Sequence, residues 1–244
     1  MTQDILVTVM LPTRHRVALL ERTVKSLLDN ASDPRTVEIA IAYDDDDSVT
    51  HDFLNSKTWQ ELVEHYQAPV QIFQTDSWGY AQLHNYYNLL AKNARGQWLF
   101  LWNDDAVMKS QGWETHIREQ QDFMGLLHMT TENFRNELTL FPLVPRRWID
   151  VFGTLSLCNL CDSWIQDICH PINAVRSIPP IVFHDRFDVT GNNFDSTYEN
   201  RNYQKKIYKS DAMRAVRREW SDRLQEYITR TDACAANTLP APVL

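Results

Sequence analysis

Apolar and polar positions along the first 105 residues fall into blocks whose period switches between strand and helix. Ile5 to Leu11 is a short apolar run rich in β-formers and stopped by Pro12, the pattern of a buried strand. Val17, Leu20, Val24, Leu27 and Leu28 then recur at helical spacing, which predicts an amphipathic helix over 17–29, ended by Asn30 and Asp33-Pro34. Val37 to Tyr43 predicts a second strand that runs into Asp44-Asp45-Asp46-Asp47. Leu54, Leu62, Val63 and Tyr66 predict a second helix, and Val70 to Phe73 a third strand. A third helix opens at Gly79, carries Leu83, Tyr86, Leu90 and Ala94 on one side, and closes at Gly96. Gln97 to Trp102 predicts a fourth strand, which ends in Asn103-Asp104-Asp105.

This β-α-β-α-β-α-β order predicts an α/β fold with a mostly parallel central sheet and helices on both faces. In such sheets, ligands bind beyond the carboxyl ends of the strands. The polar clusters stand at those ends: Pro12-Thr13-Arg14 after the first strand, the Asp run after the second, Asp76 after the third, and Asn103-Asp104-Asp105 after the fourth.

The second half is less regular. Gly125 to Thr130 and Leu138 to Leu143 read as strands, Arg146 to Phe152 and Asp162 to Cys169 as short helices. Ser177 to His184 reads as an edge strand, because Pro179 and Pro180 cannot join a central ladder. Residues 204–229 read as one long basic helix, and the chain from Ala233 on as a frayed end.

With 43% hydrophobic and 11% aromatic residues in 244, the chain can bury one large core, which argues against disorder. No apolar stretch approaches the roughly 20 residues that cross a bilayer, so no membrane insertion is expected. The first residues lack the basic flank of a signal peptide, and the four cysteines do not read as a secreted disulfide framework, so a cytoplasmic protein is expected. The net charge of −8 disfavours a polyanionic partner, yet residues 201–230 hold nine basic and four acidic side chains. That asymmetry allows an anionic partner at this end of the chain.

Carboxylates at a strand end suit a hard divalent cation, and a nucleotide diphosphate needs its charge neutralised to leave. Asp104 and Asp105 meet that requirement; a solvated acidic turn is the plainer reading of such a pair alone, and its position after an apolar strand in this topology outweighs it. Of the Asp run, Asp44 lies nearest the strand and is placed to meet a nucleobase or ribose, while at least two of the four read as solvated loop. Cys158-x-x-Cys161 with Cys169-His170 has the spacing of a zinc site, but Leu155, Leu157, Leu160, Trp164, Ile165 and Ile168 around it favour buried thiols acting as small hydrophobes. Trp78, Tyr80, Trp102 and Trp113 are candidates for sugar stacking around the crevice, with core packing the stronger reading for Trp102.

Taken together, the first strand with Pro12-Thr13-Arg14, the Asp-rich end of the second, Gly79…Asn85…Gly96 before the acidic turn, and Ala106-Val107-Met108…Gly112-Trp113 resemble the family 2 glycosyltransferases of the GT-A fold. The resemblance covers residues 5–115, and 140–200 more loosely. It implies a catalytic domain over 1–200, with a nucleotide-sugar-binding half at 1–115 and an acceptor half at 116–200. Residues 201–244 would then be a basic C-terminal helix and tail packed on that domain. It implies that Pro12, Thr13, Arg14 and Asp44 hold the nucleoside of a donor, often uridine, with Asp76, Gly79, Asn85 and Asp104 also on the nucleotide sugar. Asp105 would be the principal ligand to Mn2+ or Mg2+. The family usually has Asp where this chain has Asn103, whose neutral oxygen is a doubtful ligand. His184 resembles the late metal-binding histidine of GT-A enzymes, with Asp185 and Asp188 as substitutes. Asp162 best matches the general base of an inverting transferase, ahead of Asp150 and Asp167; the alternative for an Asp near a helix start is an N-cap.

A nucleotidyltransferase and a non-catalytic nucleotide-sugar-binding module are the competing readings. The first would usually carry a glycine-rich loop after the first strand, where this chain has Pro12-Thr13-Arg14-His15-Arg16. The compact chain is also similar to glycosyltransferases encoded by bacteriophages, some of which modify hydroxymethylated bases. Modified DNA and surface polysaccharide are thus the two acceptors to weigh.

Overall fold

The structure is a computed structural model, and it describes residues 4–134, 138–186, 190–191 and 201–238. Eight strands form one mixed sheet. They are β1 (Val7–Pro12), β2 (Val37–Asp44), β3 (Val70–Thr75), β4 (Trp98–Leu101), β5 (Ala106–Met108), β6 (Leu126–Thr131), β7 (Leu143–Pro145) and β8 (Val175–His184). Their order is β3-β2-β1-β4-β7-β6-β8-β5. The first four strands are parallel, as the alternating pattern predicts, whereas β7 runs antiparallel to both β4 and β6, and β5 antiparallel to β8. The chain winds outward from β1 in both directions, to β2 on one side and β4 on the other. That makes the carboxyl ends of β1 and β4 the switch point where a crevice opens.

Alternate residues of the strands feed two cores. Val9, Leu11, Trp98 and Phe100 pack on one face beneath α1 (Val17–Asp29), α2 (Ser48–Leu54) and α3 (Lys57–Tyr66). Met10, Leu99 and Leu101 pack on the other. That face is covered by α4 (Leu83–Asn93), α6 (Arg147–Phe152), α7 (Cys161–Cys169) and α9 (Asp211–Thr238). A short α5 (Thr115–Arg118) and α8 (Arg201–Tyr208) are also helical. Burial on both faces explains why β1 and β2 read as continuous apolar runs rather than alternating ones.

One buried carboxylate ties the amino ends of these strands. Glu38, fully buried in β2, accepts from Thr8 Oγ1 at 2.6 Å, the Arg95 backbone N–H at 2.9 Å and Gln71 Nε2 at 2.8 Å. Thr8 Oγ1 in turn accepts from the Gly96 N–H at 2.9 Å. A Cβ at Gly96 would lie 2.5 Å from the backbone nitrogen of Thr8, so only glycine fits between α4 and β4.

Several elements differ from the sequence expectation. The second helix is two helices, α2 and α3, parted at Asn55-Ser56, where Ser56 caps α3. Residues 138–142 do not form the expected strand: the Gln166 side chain accepts from Thr139 N–H and donates to Thr139 O, both at 2.9 Å, in place of a ladder, and β7 starts only at Leu143. β8 is not an edge strand, since β6 and β5 flank it. Its pairing with β6 jumps from Met129↔Ile178 to Thr130↔Ile181, which lets Pro179-Pro180 fall in the irregularity. The basic segment is two helices broken at Lys209-Ser210, and α9 continues to Thr238, past the expected fraying point. α9 is held by Trp220, which stacks on Phe152 with ring centroids 4.3 Å apart and meets Trp164 edge-on. Among the described residues, no helix is long and apolar enough to cross a membrane.

Candidate active site

A cleft of about 500 Å³ opens at the carboxyl ends of β1, β2 and β4. Of the residues singled out in the sequence, Pro12, Thr13, Arg14, Asp44, Gly79, Asn103, Asp104, Asp105, Asp162 and His184 all line it. Asp76 and Asn85 do not. Asp76 is exposed on the loop after β3, and the Asn85 amide bonds Gln82 at 3.0 Å within the first turn of α4.

On the β2 side, Asp44 is buried, and both its oxygens are engaged. Oδ2 accepts from Arg14 and Oδ1 from the Tyr86 hydroxyl. The same hydroxyl accepts the N–H groups of Trp78 at 2.9 Å and Gly79 at 3.0 Å, so Tyr86 ties the loop after β3 to Asp44. Gly79 makes the turn with a φ of 65°. Burial and the Asp44 carboxylate push the Tyr86 phenol up to about 12, which keeps it a donor. Arg14 also grips the exposed Asp46 through two nitrogens, at 2.5 and 2.8 Å, and holds that carboxyl far below its usual range. Asp45 and Asp46 are exposed, as expected for at least two of the run, whereas Asp47 is fully buried: it caps α2 through Thr50 and accepts the His15 N–H at 2.7 Å.

The acidic turn after β4 has two dissimilar carboxylates. Asp104 accepts from Thr13 Oγ1 at 2.8 Å and Arg16 at 2.9 Å. Burial, with the adjacent Asp105 charge, pushes its carboxyl up to about 6 against the pull of Arg16 and Thr13. Burial also pushes Asp105 up, but the His184 hydrogen bond and charge, with Arg16, outweigh it and leave Asp105 below the ordinary carboxylate value. His184 reaches Asp105 because β5 and β8 pair in the register Ala106↔His184, which sets their side chains together. Its Nε2 lies 3.0 Å from Asp105 Oδ1, and its backbone is clamped by the Asn133 amide at 2.7 and 3.0 Å. Asp185 is drawn off to Arg22 at 2.9 Å, while Asp188 lies outside the described residues. Asn103 turns its oxygen to the Tyr87 hydroxyl at 3.2 Å.

An oxygen from Asp105 and a nitrogen from His184 form a donor set that fits Mn2+, whereas Mg2+ would be held through the Asp105 oxygen without the imidazole. Among the described residues no three His, Cys, Asp or Glu side chains converge on one point. The remaining ligands would therefore be phosphate oxygens and water, which is the usual arrangement when such an ion is bound together with a nucleotide.

Across the cleft stands Asp162, the second residue of α7. It is not the cap of that helix: Leu160 holds the cap position, without a side-chain bond. Asp167 lies farther along α7 and bonds Tyr208, and Asp150 lines a separate small cleft beside Arg95 and Arg146. Cys158, Cys161 and Cys169 are buried free thiols, and His170 is exposed. Burial pushes the Cys158 thiol up to about 11 and Cys161 well above its usual value, so both stay protonated. Of the four aromatics, Tyr80 lines the cleft and Trp78 packs edge-on against Tyr86 with centroids 5.0 Å apart. Trp102 and Trp113 are fully buried beside α1, where their indole N–H groups bond Thr23 Oγ1 and Leu27 O. Trp113 is thus a core residue and not a stacking platform.

Sequence reasoning missed Arg16, Tyr86, Tyr87, Lys205, Tyr208 and Lys209 as cleft residues. Tyr86 and Tyr87 fall on the apolar face of α4 and read as core, and only their hydroxyl partners reveal the difference. The lysines come from a segment more than a hundred residues beyond β4, and no local pattern could place it there.

Neither a family model nor a curated protein sequence matches the chain. Solved structures do. The mannosyltransferase PcManGT from Pyrobaculum calidifontis, in complex with GDP-Man and Mn2+, aligns with a TM-score of 0.62 at 14% identity, over 99% of this chain and 78% of its own. TarS from S. aureus, residues 1–349, aligns with a TM-score of 0.52 at 14% identity, over 90% of this chain and 70% of its own. Its complex with UDP-GlcNAc aligns at the same score, over 88% and 70%. The fold of this chain is therefore the GT-A-like α/β fold of these structures.

Proposed function

We propose that this chain is a metal-dependent inverting glycosyltransferase that moves a sugar from a nucleotide-sugar donor, UDP-linked in the first instance, to an acceptor hydroxyl. The observation that carries the reading is the convergence in one cleft of Asp44, the Asp105–His184 pair and Asp162, which come from four separate stretches of sequence. The fold shared with structures holding GDP-Man or UDP-GlcNAc supports it.

In this reading Asp44 and Arg14 bind the nucleoside, and Tyr86 keeps Asp44 oriented. Asp105 would hold Mn2+ together with His184, or Mg2+ without the imidazole, with Asp104 beside them fixed by Arg16 and Thr13. The ion's contribution is to neutralise the diphosphate as it departs. Asp162 takes the proton of the acceptor hydroxyl as that oxygen attacks the anomeric carbon from the side opposite the leaving diphosphate, so the configuration inverts. Tyr80, with its aromatic ring at the cleft, supports the sugar. The free thiols of Cys158, Cys161 and Cys169 agree with a cytoplasmic setting, where thiols stay reduced.

The test is a melting-temperature screen with UDP-, GDP- and dTDP-sugars, with and without Mn2+. A ligand that binds only the folded state raises the midpoint. A rise with at least one donor that requires the ion is expected. No shift with any of them sinks the reading.

A further inference from the structure

Two lysines in the cleft have no role in the scheme above. Lys205 and Lys209 stand one helical turn apart, joined by the bond from Lys209 N–H to Lys205 O at 3.1 Å, and both line the cleft with Tyr208 between them. Neither forms an ion pair among the described residues; Lys205 is half-buried and Lys209 exposed. Like charges at this spacing repel, and partial burial raises the cost at Lys205. An anion that arrives from outside would stabilise such a pair.

The pair is also held in place. Tyr208 donates its hydroxyl to Asp167 at 2.5 Å, and Arg217 Nε lies 3.2 Å from the same carboxylate oxygen. Arg217 is buried, donates to Tyr208 O at 3.0 Å, and lies 4.0 Å over the Tyr208 ring. Asp167 belongs to α7, the helix whose first turn carries Asp162. The lysines are therefore fixed to the element that holds the proposed base. The donor side has its own cations, Arg14 and Arg16, on the loop after β1.

We infer that Lys205 and Lys209 bind a phosphate group of the acceptor, so that the acceptor is a polyol or sugar phosphate whose phosphate lies close to the accepting hydroxyl. The inference rests on the transferase reading of this cleft. A long DNA duplex fits the charge pattern less well. Arg217 is turned inward onto Asp167, Arg214 pairs with Asp211 at 3.0 Å, and Arg223 donates to Val151 O at 2.5 Å, so much of the basic charge of α9 is used within the protein.

The experiment is calorimetric titration of the full chain, saturated with Mn2+ and a nucleotide, with glycerol phosphate, glycerol and a short DNA duplex. Glycerol phosphate is expected to bind and glycerol not. Lys205→Gln/Lys209→Gln should weaken glycerol phosphate by roughly 10- to 100-fold, the loss of one or two charge-assisted bonds, with nucleotide affinity unchanged. Lys205→Arg/Lys209→Arg should retain binding. An equal loss of nucleotide affinity in the Gln variant would assign the lysines to the donor diphosphate and overturn the inference. So would absence of glycerol phosphate binding, or duplex binding that is tighter and is the one lost in the Gln variant. If the lysine-dependent phosphate site is present but no nucleotide sugar shifts the melting temperature, the acceptor role is overturned together with the transferase reading, and only an anion site stands.

Discussion

His184 Nε2 lies 3.0 Å from Asp105 Oδ1, while its buried Nδ1 has no partner. A carboxylate can only accept at neutral pH, so Nε2 carries the proton in this arrangement. An ion that enters between the two must take the place of that proton. Asp105→Ala is expected to abolish Mn2+-dependent donor stabilisation, and His184→Ala to weaken it by about tenfold or more. Asn103→Ala should cost far less, because its oxygen is turned to Tyr87. Melting curves with and without Mn2+ decide it: equal losses at Asn103 and Asp105 would refute the assignment.

Acidity should act through Asp104 before Asp105. Asp104, with an ordinary value of 3.8, is pushed up to about 6 by burial, whereas Asp105 is held below its ordinary value. The sign follows from linkage. A carboxyl whose folded value is raised makes the ligand-free fold less stable above that value, and the penalty disappears as pH falls below the unfolded value. Donor affinity, which uses the ionised turn, should accordingly drop as pH is lowered from about 7.5 to about 5. Asp104→Asn should flatten that profile and remove the penalty from the ligand-free stability curve. An unchanged profile in the variant would place the titration elsewhere.

Tyr86→Phe removes one hydroxyl and three hydrogen bonds. Asp44 loses a donor, and the Trp78 and Gly79 N–H groups lose their acceptor. Because Asp44 is a buried carboxylate, a loss of about 2–3 kcal/mol in urea unfolding is expected, together with weaker nucleotide binding. A neutral substitution would show that the loop after β3 is not ordered through this side chain.

Asp162→Asn should reduce turnover by about 10²- to 10⁴-fold, the range for loss of a general base, and leave donor binding intact. Asp150→Asn should leave turnover near that of the parent, since Asp150 faces another cleft. If Asp150→Asn abolishes turnover and Asp162→Asn does not, the acceptor half has been read the wrong way round.

Gly96→Ala probes the fold apart from the site. Its Cβ would lie 2.5 Å from Thr8 N and 2.6 Å from Val7 C, both backbone atoms that cannot step aside. A destabilisation of about 1–3 kcal/mol or more is expected in urea unfolding, against which a loss of under about 0.5 kcal/mol would mean that the strand and the loop can separate cheaply.

The sequence by itself determined the α/β winding of residues 5–105 and the acidic turn after β4, because each element there is built from its own local period. It also determined which carboxylates stand at strand ends, and hence that Asp44, Asp104 and Asp105 could meet. It misled where neighbours in space override local pattern. Trp113 looked available and fills the core beside α1, and Asp76 stands at a strand end yet faces solvent, while nothing in the Asp run told Asp47, the buried cap of α2, from the exposed Asp45 and Asp46. Only the tertiary structure decided the rest. The β5–β8 register puts His184 on Asp105, the Gln166 clamp replaces the expected strand at 138–142, and the Arg217–Asp167–Tyr208 cluster carries Lys205 and Lys209 to the cleft. These relationships join residues from 9 to 79 positions apart. Side-chain partnerships at such separations leave no trace in a pattern read over one or two turns of helix, because their energy comes from desolvated pairs that exist only once the sheet has closed.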